Sequence, residues 1–399
     1  MNPNIEVVVI SWNGRDDTLR AVEAVAAQIG PGEDQYPDAS ITVVDNGSKD
    51  GTAEAVLRRF PGVKLLELRV NRGFTGGIDA AADASAADSL IFLNNDAVPE
   101  PRWLRSFASA MRNAPPDVVA ISGRIVDSSA TKIDFIGGLL TFDGHAFQRG
   151  FRKPIGSVPE PDDGEELLFA CGGNMIVRRR EFLELGGFDD DYFAYLEDVD
   201  FGWRAWLSGY RISFDRSAVV RHKSSATSDR LGAFERGVLF ERNALQTAIK
   251  NLDPEMLPRF AGPIFLTLLH RLHCYTVDRN QETSPLRRPA LDSSAPGKGR
   301  KMLDRLLRRR SGPAIDDPLT VMQFRAMEWF FANSERLMEK RRTVQARRRI
   351  SDREIFEKFP LFYVPTYHGD EAIMQSALFR ALMPEVPSRT SRLDEIMQP

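Results

Sequence analysis

The sequence has little cysteine and no long apolar run. Its two cysteines, Cys171 and Cys274, stand far apart, and no C-x-x-C or Cys/His zinc spacing occurs. A disulfide scaffold and a zinc module are therefore excluded, and the pattern reads as two buried thiols in a reducing compartment. No stretch approaches the roughly 18 consecutive apolar residues that a membrane span needs. The N-terminus passes from "MNPN" straight into "IEVVVIS". That run is too short for a signal peptide and lacks its basic flank, so a cytoplasmic protein is expected. An excess of positive charge is missing too. The formal net charge is −3 over 399 residues, so no global field exists to hold a nucleic-acid backbone. Internal repeats and heptad runs are absent.

What is present is an ordinary globular composition, 42% hydrophobic and 27% charged. The length suggests roughly two domains of about 100–200 residues each. Strand and helix patterns alternate through the first third. "IEVVVIS" (5–11) is a continuous β-branched run. Residues 15–29 carry Leu19, Val22, Val25 and Ala26 at helical spacing. "SITVVD" (40–45), "VKLLEL", "SLIFL" and "VVAISGRIV" read as further strands, with helical stretches after Asp50, Gly76 and Pro101. This rhythm predicts βαβ units and an α/β fold with a mostly parallel sheet flanked by helices. Short apolar runs suit strands covered on both faces. After about residue 125 the rhythm changes. "GGLLTFDGHAFQRG" reads as a hairpin or loop, "LLFACGGNMIVRR" as a strand with a Gly-Gly break, and "YLEDVDFGWRAWLSGYR" as containing a helix. Val199, Trp203, Trp206 and Tyr210 form one stripe of that helix.

In open α/β sheets, ligands bind outside the carboxyl ends of the strands. Polar groups gather there in order: Ser11-Trp12-Asn13, then Asp45-Asn46-Gly47-Ser48, then Asn71-Arg72-Gly73, then Asn94-Asn95-Asp96. A buried strand that ends on two amides and a carboxylate needs something to satisfy them. The set suits a nucleotide. Trp12 can stack on a base, and Asp45 can accept from a base N–H or a ribose hydroxyl. Arg72 can meet a phosphate, and glycines let backbone N–H groups approach it.

Taken together, "VVVISWNG", "VVDNGSKDGT", "NRGFTGG", "FLNNDAV", "GGNMIVRR" and "YLEDVDFGWRAWLSGYR" resemble the inverting family 2 glycosyltransferases of the GT-A fold. Within that family the likeness is to bacterial rhamnosyltransferases and galactofuranosyltransferases, and it covers about residues 5–245. The resemblance implies roles. Ser11, Trp12, Asp45, Arg72, Gly73 and Asn95 would bind the nucleotide. Asp96 would hold a divalent metal, Mg²⁺ or Mn²⁺, with His222 as a second ligand. Asn94 and Asn95 replace acidic residues of other members. Asp198 would be the catalytic base, and Gly172, Gly173, Asn174, Glu197 and Trp203 would face the sugar or acceptor. Arg221, Lys223 and Arg230 are further candidates for the diphosphate. Asp79 departs from the Asn that many relatives carry.

Physical chemistry agrees with these roles. A hard cation neutralises a leaving diphosphate, and one or two protein carboxylates suffice to hold it. A carboxylate beside the attacking hydroxyl takes its proton. The expected activity is transfer of a sugar from a dTDP- or UDP-linked donor to a hydroxyl of a cell-surface glycan precursor, lipid-linked at the inner membrane face.

Residues 1–245 are thus read as the catalytic domain and 246–399 as a helical extension. The extension contains a basic linker at about 284–313 and a long helix over "LTVMQFRAMEWFFANSERLMEKRRTVQARRR". Basic, partly amphipathic segments can rest on an anionic membrane; a helical bundle or homo-oligomer contact is the plainer reading. Three rivals differ in class. A dinucleotide-dependent oxidoreductase should carry G-x-G-x-x-G after its first strand, where "SWNGRDD" stands instead. A non-catalytic sugar-nucleotide binding protein would keep the rim and lose the base. A nucleotidyltransferase would show a basic glycine-rich loop after the first strand.

Overall fold

The structure, a computed structural model, describes residues 3–223, 231–277, 318–367 and 369–397. The basic linker at 284–313 and Arg230 lie outside the described residues.

The first half builds the expected parallel layer. Strand β1 (Ile5–Ser11) is buried along its whole length, consistent with β-branched residues covered on both faces. It lies between β2 (Ala39–Asp45) and β4 (Ser89–Asn94), parallel to both, and β2 pairs in parallel with β3 (Lys64–Glu67). Crossover helices α1 (Arg15–Ala26), α2 (Thr52–Arg59) and α3 (Gly73–Ala84) connect these strands. Register matters for the site. Ser11 stands opposite Asp45 and Ile10 opposite Asn94, so three polar strand ends share one rim.

Beyond β4 the sheet is mixed. The order is β3-β2-β1-β4-β10-β6-β11-β5, with β5 (Ala97–Pro99), β6 (Val118–Asp127), β10 (Asn174–Arg178) and β11 (Arg211–His222). Strand β10 inserts antiparallel between β4 and β6, while β11 runs parallel to β6 and antiparallel to β5. An antiparallel strand presents its N-terminal end to the rim where its neighbours present their C-terminal ends. Gly172 and Gly173, just before β10, arrive there for that reason. Helix α4 (Trp103–Asn113) packs on β6 and β11. Strand β7 (Ile133–Phe135) adds to β6, and β8 (Gly138–Leu140) with β9 (Ala146–Gln148) makes the anticipated hairpin. The strand expected across "LLFACGG" is shorter than its apolar run. Asn174 N–H donates to Cys171 O at 3.0 Å, and that turn stops the extended chain.

Helix α5 (Arg179–Glu184) and helix α6 (Glu197–Leu207) follow β10. Helix α7 (Ala233–Asn251) packs across α6 and runs through residue 245. Helix α8 (Met256–Val277) comes next. The long helix expected from residue 319 is two helices, α9 (Pro318–Ala332) and α10 (Ser334–Ala346). Asn333 breaks it: its amide donates to Trp329 O at 2.8 Å, and Ser334 Oγ donates to Phe331 O at 3.0 Å. Such side chains compete with the helical ladder for its own carbonyls. Helix α11 (Asp352–Lys358) then carries a full capping box on Ser351.

The two parts of the chain share one core. A single apolar cluster runs from Ile5 in β1 to Ala244 in α7 and Phe356 in α11. Buried polar networks tie the parts together as well. His145, beside the β8–β9 hairpin, lies 3.0 Å from both Asp143 and Glu241 of α7. Arg271 of α8 reaches Asp143 at 3.2 Å and Asp370 at 2.8 Å, and Gln323 of α9 donates to Glu241 at 2.7 Å.

Two expected ligand contacts are core residues instead. Trp203 is 2% exposed. Its indole N–H donates to Asp352 Oδ1 at 3.1 Å, and its ring meets Phe356 edge-on. Trp203 thus faces α11, so its place on the apolar stripe reports packing rather than sugar stacking. Asn174 is wholly buried. Its Oδ1 accepts from the Trp103 indole at 2.8 Å, and its amide donates to Arg124 O and Ala218 O, each at 3.0 Å. It pins β10 to its neighbours. Trp203→Phe removes the indole donor from Asp352, which has no exposure to solvent. This substitution should lower the unfolding free energy by about 1–3 kcal/mol, read as a lower urea midpoint at unchanged slope.

Candidate active site

A cleft of about 360 Å³ opens over the rim of the sheet, within the size range of small-ligand sites. Its floor holds Trp12, Asn46, Gly73, Asn94, Asn95 and Asp96; Gly172, Gly173, Glu197, Asp198 and His222 stand in its walls. Phe147 of β9, Tyr195 and Phe240 of α7 line it as well.

The nucleotide candidates divide by what their side chains do. Trp12 is partly exposed and faces the cleft. Asp45 is 5% exposed and accepts from Ser48 N–H at 3.1 Å. Ser11 lies beneath the rim, its hydroxyl 2.7 Å from Thr18 Oγ1, and Asn95 donates to the same Thr18 oxygen at 3.1 Å. Gly73 has φ +75°, and a Cβ there would stand 2.3 Å from Phe193 O. Only glycine fits that approach. Arg72 projects outward, 3.6 Å from Asp190. Lys223 lies 3.4 Å from Asp17, and Arg221 pairs with Glu100, so neither points into the cleft through these contacts. Asn46, named at the strand end but given no role by the motifs, lines the cleft. It is 2% exposed, donates to Gly73 O at 2.8 Å and accepts from Arg72 N–H at 2.8 Å. Its place in "VVDNGS", next to Asp45, is the available signal.

Asp96 and His222 meet because β5 pairs with the end of β11, His222 opposite Ala97. His222 Nε2 is 3.1 Å from Asp96 Oδ1, and Nδ1 is 2.7 Å from Asp134 Oδ2. Burial pulls the imidazole pKa down, but hydrogen bonds to Asp134 and Asp96 raise it to about 10. Burial pushes Asp96 up, and the His222 contact outweighs this and holds it low. Once the Nε2 proton is displaced, a carboxylate oxygen beside an imidazole nitrogen, whose other nitrogen is held by a carboxylate, is a donor set that fits a divalent cation. Among the described residues no group of three or more His, Cys, Asp or Glu side chains is placed to hold a metal ion by itself. Further ligands to such a cation would come from phosphate and water. Asp134 has no motif to mark it.

Glu197 and Asp198 open helix α6. Leu196 before them is left-handed, with φ 64°, and this turns the first helical turn toward the cleft. Asp198 Oδ2 accepts from Gly172 N–H at 3.0 Å and Oδ1 from Val199 N–H at 2.8 Å. The glycine pair therefore orients the carboxylate through its backbone. At Gly173 a Cβ would meet Asn94 Nδ2 at 2.7 Å, which marks the close approach that such pairs permit. Burial raises Asp198 to about 6, against the lowering effect of the N–H groups of Gly172 and Val199. Glu197 is 7% exposed, and its Oε2 has no hydrogen-bond partner among the described residues. Burial first, and the charge of Asp198 second, push it well above the usual carboxylate range. The two adjacent carboxyls thus sit in different surroundings, an arrangement in which one group can take a proton and the other can donate one.

Comparison with known proteins gives a consistent set. Residues 6–186 match the family model described as Glycosyl transferase family 2. The chain is 30% identical over 216 residues to the N-acetylglucosaminyl-diphospho-decaprenol L-rhamnosyltransferase of Mycobacterium tuberculosis (strain ATCC 25618 / H37Rv). That match covers 47% of this chain and 68% of the relative. It is 27% identical over 230 residues to the O-antigen biosynthesis protein RfbC of Myxococcus xanthus, covering 55% of this chain but 17% of that protein. Among solved structures, GalNAc-T7 with UDP, GalNAc and Mn²⁺ aligns at a TM-score of 0.51 and 14% identity. The alignment covers 67% of this chain and 51% of the other, a likeness of fold.

The Asp198 carboxyl makes a signed prediction. Its folded pKa of about 6 lies above the unfolded value of about 3.9. The ionised form therefore favours unfolding, and the stability loss is complete above pH 6 and absent below pH 4. Asp198→Asn should raise the melting temperature by about 2–5 °C at pH 7.5, with the gap closing at pH 4. Wild-type turnover should fall about tenfold per pH unit below about 6 and stay level above it. Calorimetry and a pH–rate profile check the two halves.

Proposed function

The chain belongs to glycosyltransferase family 2 and has its GT-A fold, and on that premise we propose an inverting transfer from a pyrimidine nucleotide sugar. dTDP-rhamnose is the first donor and UDP-galactofuranose the second. The acceptor is a hydroxyl of a growing cell-surface glycan. The observation that carries this reading is Asp198, a carboxylate near-neutral in pKa, held by two N–H groups in the same cleft as the Asp96–His222 pair.

The step balances simply. The acceptor oxygen forms a bond to the anomeric carbon as the bond from that carbon to the phosphate oxygen breaks. The hydroxyl proton passes to Asp198, and the electron pair leaves with the nucleoside diphosphate. Trp12 stacks on the base, and Asp45 with the Asn46–Gly73 turn supports the base and ribose. Glu197, protonated, donates to a sugar or acceptor oxygen and so satisfies its bare Oε2. Asp96 and His222 would hold Mg²⁺ or Mn²⁺, which when bound offsets the charge of the leaving diphosphate.

A lipid-linked acceptor at the inner membrane face completes the reading. The mycobacterial relative is named for a decaprenol-linked acceptor. Phe265 and Leu269 on α8, with Phe324 and Phe331 on α9, are exposed apolar side chains, Leu269 at 60% and Phe331 at 62%. The sequence between those helices is strongly basic. Exposed aromatic and aliphatic groups on two helices, in a sequence rich in basic residues, favour an anionic bilayer surface. No helix among the described residues is long and apolar enough to cross a membrane.

Incubation with a panel of nucleotide sugars and Mg²⁺ or Mn²⁺ tests the assignment. The expected result is release of nucleoside diphosphate from a dTDP- or UDP-sugar, with inverted configuration in the product by NMR. EDTA should abolish release, and His222→Ala should reduce it about 10–100-fold, the usual scale for disturbing a metal site. Undiminished release in EDTA would remove the cation from the scheme, and retained configuration would remove direct displacement.

A further inference from the structure

Between Asp189 and the start of α6 the chain adopts a backbone that its residues disfavour. Phe193, Tyr195 and Leu196 have φ of 63°, 72° and 64°, and none is glycine. Left-handed geometry costs an L-residue roughly 1–2 kcal/mol each, so the surroundings have to impose it. The loop lines the cleft with Phe193, Ala194, Tyr195 and Leu196 and then delivers Glu197 and Asp198.

Inside the loop, Ala194 N–H donates to Tyr192 O at 2.7 Å, and three further sets of bonds hold it from outside. Phe193 O accepts from Phe74 N–H at 2.6 Å and from Thr75 N–H at 3.3 Å. Arg242 donates to Asp191 O at 2.6 Å and Tyr192 O at 3.2 Å. The third is one amide. Asn243 of α7 is wholly buried, and its Nδ2 donates to Tyr192 O at 3.1 Å, Ala194 O at 2.8 Å and Tyr195 O at 2.7 Å. The amide's orientation is fixed from its other end, where Oδ1 accepts from Gln246 at 2.9 Å and from Arg242 at 3.1 Å. The two amide hydrogens are shared among the three carbonyls, and an aspartate or leucine of similar shape would offer them none. Asn243 is absent from the cleft lining, so any influence on the reaction passes through the loop.

We propose that Asn243 is the positioning residue of the reaction: its amide imposes the left-handed loop that aims Glu197 and Asp198 at the acceptor hydroxyl. This rests on the glycosyl-transfer reading above. A misplacement of about 1 Å in a positioned group can cost about 100-fold in rate.

The test uses the full chain with Asn243→Ala, and Gln246→Ala as the milder variant that frees only the far end of the amide. Two readouts are taken: steady-state transfer with the nucleotide sugar that the wild type uses, and hydrogen–deuterium exchange of the peptide covering residues 192–198. Expected for Asn243→Ala is a kcat about 100-fold lower, donor KM within about threefold, and faster exchange in that peptide with β1 and β4 unchanged. Gln246→Ala should show the same signs at about tenfold. If Asn243→Ala does not fold, Gln246→Ala decides alone. Wild-type kcat in a folded variant overturns the proposal, as does a kcat loss matched by an equal loss of donor affinity, or unchanged exchange. If the wild type consumes no nucleotide sugar, the glycosyl-transfer reading falls, and the exchange arm alone decides whether Asn243 holds the loop.

Discussion

Two carboxyls withheld from water stand side by side in this chain, and the surroundings of the cleft have to accommodate both. Glu197 and Asp198 cannot both be ionised in so dry a place without strong repulsion. The structure meets the constraint from several directions. The Gly172 N–H steadies Asp198 from the turn before β10. The left-handed Leu196 sets the angle at which α6 begins. Behind them, Lys250 of α7 lies 2.9 Å from Asp200, whose other oxygen is 2.8 Å from Arg204. That buried pairing keeps the third acid of the same turn charged and out of the cleft, with burial opposed by Arg204 and Lys250.

Part of this is open to reading from residues alone. Strands buried on both faces appear as unbroken apolar runs, and the polar groups that end them mark a rim. Asp45, Asn94 and Asp96 can be found that way because register in a parallel sheet aligns the ends. Asp198 and His222 come instead from likeness to a family, since their partners lie far off in sequence. The failures have equally physical causes. Asn174 follows a Gly-Gly turn at the cleft, but whether its amide faces out or in depends on Trp103, Arg124 and Ala218, none of which is near it in sequence. Trp203 lies on an apolar stripe, and a stripe does not say which neighbour covers it. Helix α11, more than a hundred residues on, does so.

The mixed half of the sheet is hidden for a related reason. Strand β10 enters the sheet only after the chain has made the β8–β9 hairpin and a long loop, and local pattern cannot reveal the direction of its return. A lone acid in such a region carries no mark of its role. Asp134, in β7, becomes part of the site only because β7 and β11 both flank β6. Long-range pairing, rather than composition, decides these positions.

The network around His145 has a consequence for how this chain relates to others of its kind. Asp143 and His145 belong to the segment that carries the hairpin, while Glu241, Arg271, Gln323 and Asp370 come from the helices that follow. All six are buried, and a buried charge deprived of its counterpart is strongly destabilising. Hairpin and helices are therefore matched halves of one lock. A chimera joined near residue 245, pairing this front portion with another protein's tail, would inherit Asp143, His145 and Glu241 without Arg271 or Asp370. The C-terminal region can diverge only in step with the loop it closes upon, which ties the shape of one cleft wall to helices that contribute no reacting group.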